Sequence, residues 1–183
     1  MTQPDAVRRG RTRLFLIAAF FAIPFLTGWL AYALNWTPGA TGNHGELLTP
    51  RPVTGKAFEP LKGKWVFVSL DAAACDRVCE TKLYFMRQAR KAQGKDAGRV
   101  ARLWVLLDEE KPRSDLLRAI EGTSVVEIAE AGQRAQFPAD TSPTDYIYLV
   151  DPLGNLMMRY PRTMDPGGII KDLTRLLKYS AFG

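Results

Sequence analysis

Apolar residues along this chain form runs and periodic patterns that predict an α/β domain behind one long uncharged segment. The run Trp65–Leu70 is apolar, β-branched and aromatic, which is typical of a buried strand, and Val100–Leu107 has the same character. Between these runs, apolar positions return at helical spacing, so we expect a helix from Cys79 onward. The apolar positions that define this helix are Leu83, Met86 and Ala89.

The second half of the chain continues the alternation of helix and strand. Ser114–Ile120 is predicted to be a short helix with Ser114 as its N-cap. Tyr146–Val150 is predicted to be a strand, and a turn at Asp151–Asn155 leads into the next strand, Leu156–Tyr160. These last two strands therefore form a hairpin.

A final helix, Gly168–Tyr179, has its apolar residues on one face, so it is amphipathic and closes the domain. The whole order is strand, helix, strand, helix, hairpin, helix. It predicts an α/β domain at residues 58–183, with parallel strands joined by crossovers and an antiparallel pair at the end.

The uncharged segment at residues 14–34 is long enough to cross a membrane. Its 21 residues, at about 1.5 Å each in a helix, match a hydrocarbon core of about 30 Å. Four arginines precede it and none follows closely, which places residues 1–13 in the cytoplasm and the domain in the periplasm of a bacterial-type inner membrane. The alternative is a cleaved signal peptide with a small-residue site at Ala31–Ala33.

Residues 35–57 are rich in glycine and proline and predict an extended linker without a core of its own. His44, the one histidine of the sequence, lies in this linker. A single histidine in a linker is more often a solvated surface residue than a metal ligand, and both interpretations stay open here.

The net charge of +6 is unevenly distributed, because residues 1–13 alone carry +3. The domain is therefore only mildly basic, and nucleic-acid binding has little support. A basic stretch in the domain is predicted to be a solvated helix face, with docking of an acidic partner or of anionic lipid as the alternative. This stretch contains Arg87, Arg90, Lys91, Lys95, Arg99 and Arg102.

The two cysteines of the sequence, Cys75 and Cys79, stand at the predicted strand-to-helix junction. If Cys75 lies at or near the first turn of that helix, the i, i+4 spacing puts both sulfurs on one helix face, close enough to form a disulfide or to share a metal ion. A helix N-terminus favours thiolate over thiol, which suits redox chemistry with Cys75 attacking and Cys79 resolving. The alternative is a structural disulfide, although a bond that closes five residues adds little stability.

Taken together, the Cys pair at a helix start, the second strand–helix unit and the final hairpin with its helix resemble the thioredoxin superfamily. Within it, the C-x-x-x-C spacing and the N-terminal anchor are similar to the Sco family of membrane-anchored cytochrome oxidase assembly proteins. That family also has a late Ile-Tyr-Leu-Ile-Asp-Pro-x-Gly segment, matched here by Ile147–Gly154. The resemblance implies a thioredoxin-like fold and a role for the thiol pair.

The resemblance breaks where that family binds copper. Both prolines of the family's Cys-Pro-Asp-Val-Cys-Pro pattern are missing around Cys75 and Cys79, and the copper-ligand histidine, eight residues before Asp151, is replaced by Pro143. Copper(I) is then left with two thiolates, to which a thioether is a weak addition. Four methionines are candidates, although methionine at such spacing more often fills a core. They are Met86, Met157, Met158 and Met164.

Pro143 has a second interpretation. Thioredoxin-like folds place a cis-proline opposite the cysteines, just before a strand, and Pro143 occupies about that place, facing the substrate. An X–Pro bond adopts the cis form at little cost, and a trans proline at a strand start is the alternative. A cis bond would favour thiol–disulfide exchange over copper binding.

The sequence therefore predicts a membrane-anchored assembly factor for cytochrome c oxidase that works through Cys75 and Cys79. It acts as a thiol–disulfide oxidoreductase or carries copper(I) between two thiolates, and its partner is a respiratory oxidase subunit or assembly protein. The alternative from another class is a non-catalytic tethered module that binds an assembly partner. A thiol peroxidase is a third interpretation.

Overall fold

The computed structural model describes residues 4–34, 42–127 and 134–180, which divide between two units at Gly42. The first unit contains a single helix, α1 (Pro4–Ala33). Its part Gly10–Ala33 spans 24 residues and contains an 18-residue window with a mean hydropathy of 2.2, so it is long and apolar enough to cross a membrane. Pro24 lies inside it and removes one backbone donor. The chain is a single-pass membrane protein by this criterion.

The second unit is an α/β domain with six strands and three helices in the described residues. The strands are β1 (Glu46–Pro52), β2 (Trp65–Asp71), β3 (Val100–Leu106), β4 (Ser124–Glu127), β5 (Tyr146–Val150) and β6 (Asn155–Pro161). The helices are α2 (Arg77–Ala92), α3 (Ser114–Ala119) and α4 (Pro166–Tyr179).

The six strands form one mixed sheet in the order β1-β6-β5-β2-β3-β4. The pairs β2–β3 and β3–β4 are parallel, whereas β2–β5, β5–β6 and β1–β6 are antiparallel. The predicted parallel pair and the terminal hairpin are confirmed. Strand β2 lies near the centre of the sheet, so the loop that follows it is held by the most buried part of the domain.

Both faces of the sheet are covered, which explains why β2 is buried at every position. On one face, Trp65 and Phe67 of β2 pack with α2 and α4. On the other face, Val66 and Val68 pack with loop residues such as Phe137. Successive side chains of a strand alternate between the two faces of the sheet. A strand that is covered on both faces therefore needs apolar residues at consecutive positions.

Part of the segment predicted to be a linker is strand β1, so the prediction for residues 35–57 is wrong at that point. β1 pairs with β6 at the edge of the sheet, with Leu47 opposite Met158. Pro50 and Pro52 pointed to a loop because proline lacks a backbone donor. An edge strand tolerates proline, since one of its sides needs no partner.

His44 is tied to the domain and is not a free linker residue. The carboxylate of Asp172 in α4 accepts the backbone N–H of His44 and of Gly45, each at 2.8 Å. Its other oxygen lies 3.0 Å from His44 Nδ1. Burial raises the pKa of the neighbouring Tyr160, and the charge of Asp172 adds to this shift. Asp172 therefore fixes the point at which the chain enters the sheet.

The basic stretch is not simply a solvated face, because three of its arginines bind backbone carbonyl groups. Arg90 Nε donates to the Val100 carbonyl at 2.8 Å, and the buried Arg102 donates to the Glu121 carbonyl at 2.6 Å. Arg99 donates to two carbonyls at the end of α4, those of Leu177 and Ser180. These three side chains join segments of the domain, so the solvated-face prediction is wrong for them.

We expect Asp172→Ala to lower the free energy of unfolding by about 2–4 kcal/mol, because it leaves the buried N–H of Gly45 and the partly buried N–H of His44 without an acceptor. Urea unfolding of the full chain in detergent, followed by tryptophan fluorescence, measures this. Lys171→Ala, at the exposed neighbouring position, is the matched control and should change stability by less than about 0.5 kcal/mol. Equal stability of the two variants would contradict the role assigned to Asp172.

Candidate redox site

The two cysteines form a disulfide in the structure. Cys75 and Cys79 are joined with their Cα atoms 5.2 Å apart. Both residues are buried, Cys75 with 5% and Cys79 with 1% of its surface exposed. The disulfide is therefore almost fully buried, and Cys75 is the more accessible of the two cysteines.

The local backbone places the cysteines on either side of a helix start. Asp76 is the N-cap of α2, and its Oδ1 accepts the backbone N–H of Cys79 at 2.9 Å. Helix α2 thus begins at Arg77, two residues before the predicted start, and Cys75 precedes it. Cys75 has φ +42°, a left-handed conformation that a non-glycine residue adopts only under local constraint.

A carboxylate on the neighbouring strand holds the loop in place. Asp108 follows β3, and its two oxygens accept the backbone N–H of Ala73 at 3.0 and 3.2 Å. Within the loop, the N–H of Cys75 donates to the Ala72 carbonyl at 3.1 Å. These bonds hold the chain before Cys75, and the Asp76 cap holds the chain after it.

A buried ion pair lies one helical turn beyond Cys79. Lys82 and Asp71 are only 2% and 6% exposed, and Lys82 Nζ lies 2.8 and 2.9 Å from the two carboxylate oxygens. Asp71 also accepts from Ser69 Oγ at 2.6 Å. Burial raises the pKa of Asp71 and lowers the pKa of Lys82, and each partner opposes the shift of the other.

Lys82 also reaches the segment that precedes β5. Its Nζ donates to the Thr144 carbonyl at 2.5 Å, next to Pro143. One side chain therefore connects the end of β2, the first turns of α2 and the start of β5. These are the three segments that surround the disulfide.

The peptide bond before Pro143 is trans, so the cis-proline prediction is wrong. Pro143 opens a short 3-10 helix, Pro143–Asp145, immediately before β5. Ser142 caps this helix, with its Oγ accepting the Thr144 N–H at 3.3 Å. The first position of a helix suits proline because no intrahelical donor is needed there.

Two of the predicted extra ligands, Met86 and Met158, lie in the same buried cluster as Cys75 and Cys79. Met86 and Met158 are core residues, 1% and 2% exposed, and His44 is bound to Asp172. In the described ranges, no group of three or more His, Cys, Asp or Glu residues is arranged to hold a metal ion. Met164 is the methionine that lines a groove beside the site, together with Val78. The donor set fits copper(I) only as two thiolates, after reduction.

Two residues of the site were missed by the sequence analysis. Lys82 lies among Cys79, Leu83 and Met86 on the apolar face of α2. A lysine on an apolar helix face indicates a buried ion pair, so the sequence did carry a signal for this residue. Asp108 lies in the loop that follows β3. Its contact with Ala73 joins two adjacent strand ends, and nothing in the local sequence indicates this partner.

Comparison with known proteins agrees with this architecture. The family model described as "Transmembrane-like, thioredoxin-like, C-terminal domain" matches residues 65–180, which is more than half of the chain and extends from β2 to the end of α4. No curated protein sequence matches the chain at a significant level.

Three solved structures have a similar fold. The copper-bound ScoI of Bradyrhizobium japonicum is 21% identical with a TM-score of 0.50, and the alignment covers 72% of this chain and 98% of that one. Copper-bound yeast Sco1 is 15% identical with a TM-score of 0.55, covering 78% and 97%. BsSco, described as a cytochrome c oxidase assembly protein with a disulfide switch, is 18% identical with a TM-score of 0.50, covering 74% and 94%. At these identities the likeness shows the shared fold.

We expect Lys82→Met to lower the free energy of unfolding by about 3–5 kcal/mol, because Asp71 then stays buried without its cation. The double variant Asp71→Leu/Lys82→Met removes both charges and should recover most of that loss. Urea unfolding of the full chain in detergent gives all the values needed for a double-mutant cycle. Additive losses, with no recovery in the double variant, would contradict the pairing.

Proposed function

The chain belongs to the family of transmembrane-like, thioredoxin-like C-terminal domains, and from this premise we propose that it is a membrane-anchored thiol–disulfide oxidoreductase for cytochrome c oxidase assembly. The observation that carries the proposal is the Cys75–Cys79 disulfide at the N-terminus of α2. A helix N-terminus stabilises the thiolate that leaves when such a bond opens.

Two features support a redox role over a purely structural bond. The disulfide closes a loop of only five residues, which removes little entropy from the unfolded chain. Cys75 has a left-handed conformation; its N–H donates to the Ala72 carbonyl, and Asp108 holds the same loop through the Ala73 N–H. Constraint of this kind concentrates at functional sites.

The exchange step balances with a partner dithiol. A partner thiolate attacks Cys75 Sγ and forms a mixed disulfide, while the Cys75–Cys79 bond breaks and its electron pair passes to Cys79 Sγ. The partner's second thiolate then attacks the sulfur of the partner's first cysteine in the mixed disulfide, and Cys75 leaves as a thiolate. The partner loses two electrons and two protons, and the chain gains them. In the reverse direction Cys75 attacks and Cys79 resolves.

The assembly role and the location rest on resemblance and on charge. The Sco-like segment Ile147–Gly154 and the BsSco description support cytochrome c oxidase assembly, with an oxidase subunit or assembly protein as partner. The arginines before α1 support a cytoplasmic N-terminus and a periplasmic domain in a bacterial-type inner membrane. An oxidising compartment of that kind suits a disulfide.

We expect Cys75→Ser to abolish exchange with a dithiol and to abolish cytochrome c oxidase activity when it replaces the natural chain in its own cells. Cys79→Ser should leave a mixed disulfide with the partner trapped at Cys75, because the resolving thiol is missing. Oxidase activity of membranes, and mass spectrometry of the trapped complex, measure these outcomes.

Serine differs from cysteine by one atom, so folding is checked by circular dichroism of both variants. Full oxidase activity with Cys75→Ser would exclude the redox mechanism. It would favour the second class of function, a non-catalytic tethered module that binds an assembly partner.

Copper(I) as cargo is a second candidate activity, favoured by the copper-bound state of two of the similar structures. Pro143 replaces the family histidine, so reduced Cys75 and Cys79 are the ligands that the site offers. Two thiolates suit this soft ion without a third donor. The two activities use the same sulfurs, because copper binding requires the disulfide to be reduced.

We expect the reduced full chain in detergent to bind one equivalent of copper(I) in competition with a chelator. The equivalent should be lost in Cys75→Ser/Cys79→Ser, whereas His44→Ala and Met158→Leu should keep it, because neither residue lies among the proposed ligands. Binding that does not differ between the natural chain and the double serine variant would exclude copper carriage and leave thiol–disulfide exchange.

A further inference from the structure

A groove of about 360 Å³ opens beside the disulfide, between the N-terminal turns of α2 and the loop that joins β6 to α4. Arg77 and Val78, which lie between the two cysteines in sequence, form one end of it. The groove therefore begins within one helical turn of the sulfurs. A partner that exchanges a disulfide with Cys75 must place the residues next to its own cysteine near this opening.

Most of the groove wall is apolar. Phe85 of α2, Ile147 of β5 and Ile169 of α4 form its floor, and Met164 contributes a flexible thioether. At the rim, Val78 keeps 36% of its surface exposed, although it directly precedes the buried Cys79. A wall of this composition binds large apolar side chains of an extended segment.

The charged side chains of the groove are all cationic. Arg77, Lys82 and Arg162 line it, and among the residues that the structure describes no carboxylate does. Lys82 is compensated by Asp71, and Arg162 lies 3.2 Å from Asp145. Arg77 forms no ion pair within the part of the chain that the structure describes. Arg77 therefore lies next to the N-cap Asp76 at the start of a 16-residue helix, in sequence between the two cysteines, without forming an ion pair of its own among the described residues.

We propose that this groove binds an extended, cysteine-bearing segment of the partner protein, with an acidic residue beside its cysteine for Arg77 and a large apolar residue for the Met164 wall. The inference rests on the proposed function, which it extends from the disulfide to the sequence of its substrate. A second copy of this chain does not supply such a segment, since both of its cysteines are already in the buried pair.

The test uses the full chain in detergent and two fluorescent peptides whose central cysteine is replaced by serine, so that only non-covalent binding is measured. In one peptide two aspartates precede the serine and leucine and phenylalanine follow it. In the other, lysines replace the aspartates. We expect the acidic peptide to bind at least tenfold more tightly, with an affinity that falls as salt rises.

Variants then assign the contacts. Arg77→Gln should weaken the acidic peptide about three- to fivefold and reduce its salt dependence. Met164→Gln should weaken both peptides about tenfold, since it places an amide in the apolar wall. Arg118→Gln, which changes an equally exposed arginine of α3 outside the groove, is the matched control and should change neither affinity.

Cysteine versions of the same peptides separate this inference from the proposed function. Acidic and lysine peptides that bind equally, or an Arg77→Gln variant that binds like the natural chain, would overturn the groove assignment even where exchange proceeds. Selective binding without any exchange would support the groove and overturn the redox function. If self-association of the chain displaces the bound peptide, the groove binds a second copy of the chain, and the proposal is overturned.

Discussion

The buried contact of Lys82 with Asp71 is the interaction on which the geometry of the site depends. It joins a central strand to the helix that follows the disulfide, and its third bond, to the Thr144 carbonyl, reaches the start of β5. Placing two charges in the core is costly unless each is fully bonded, and here Ser69 and the carbonyl complete the set. This contact fixes how the segments around the cysteines are arranged, whereas apolar packing alone would permit small shifts between them.

The parts of the fold that were predictable are those with a repeating pattern. β2, β5 and α4 were found nearly to the residue, because continuous burial and helical periodicity are strong local signals. β1 and β4 were missed for a different reason. Both are edge strands whose burial is incomplete, so their sequences carry no clear alternation, and their pairing depends on residues far away in the chain.

The predictions for the site divide in the same way, into those that the local sequence supports and those that depend on distant residues. The closeness of Cys75 and Cys79 was predicted from their spacing, although Cys75 precedes α2 in a left-handed conformation and does not lie on the helix face. Asp108 was beyond prediction, since its contact with Ala73 exists only when two strand ends lie side by side. Pro143 shows the opposite case. Resemblance suggested a special conformation, but the local sequence Ser142-Pro143-Thr144 already encodes an ordinary capped turn. The chain thus has a disulfide-bonded cysteine pair, whereas the segment that precedes β5 is an ordinary capped turn.

The edge strand β1 has a consequence for how these molecules behave when they are crowded. An open sheet edge is a template for another chain, and repeated edge-to-edge pairing leads to aggregation. Pro50 and Pro52 each remove a backbone donor from this edge, and the irregular pairing between Leu47 and Arg51 interrupts its regular ladder. Anchored molecules are confined to two dimensions and meet often. The prolines of β1 therefore protect a concentrated population of this protein from polymerising through its sheets.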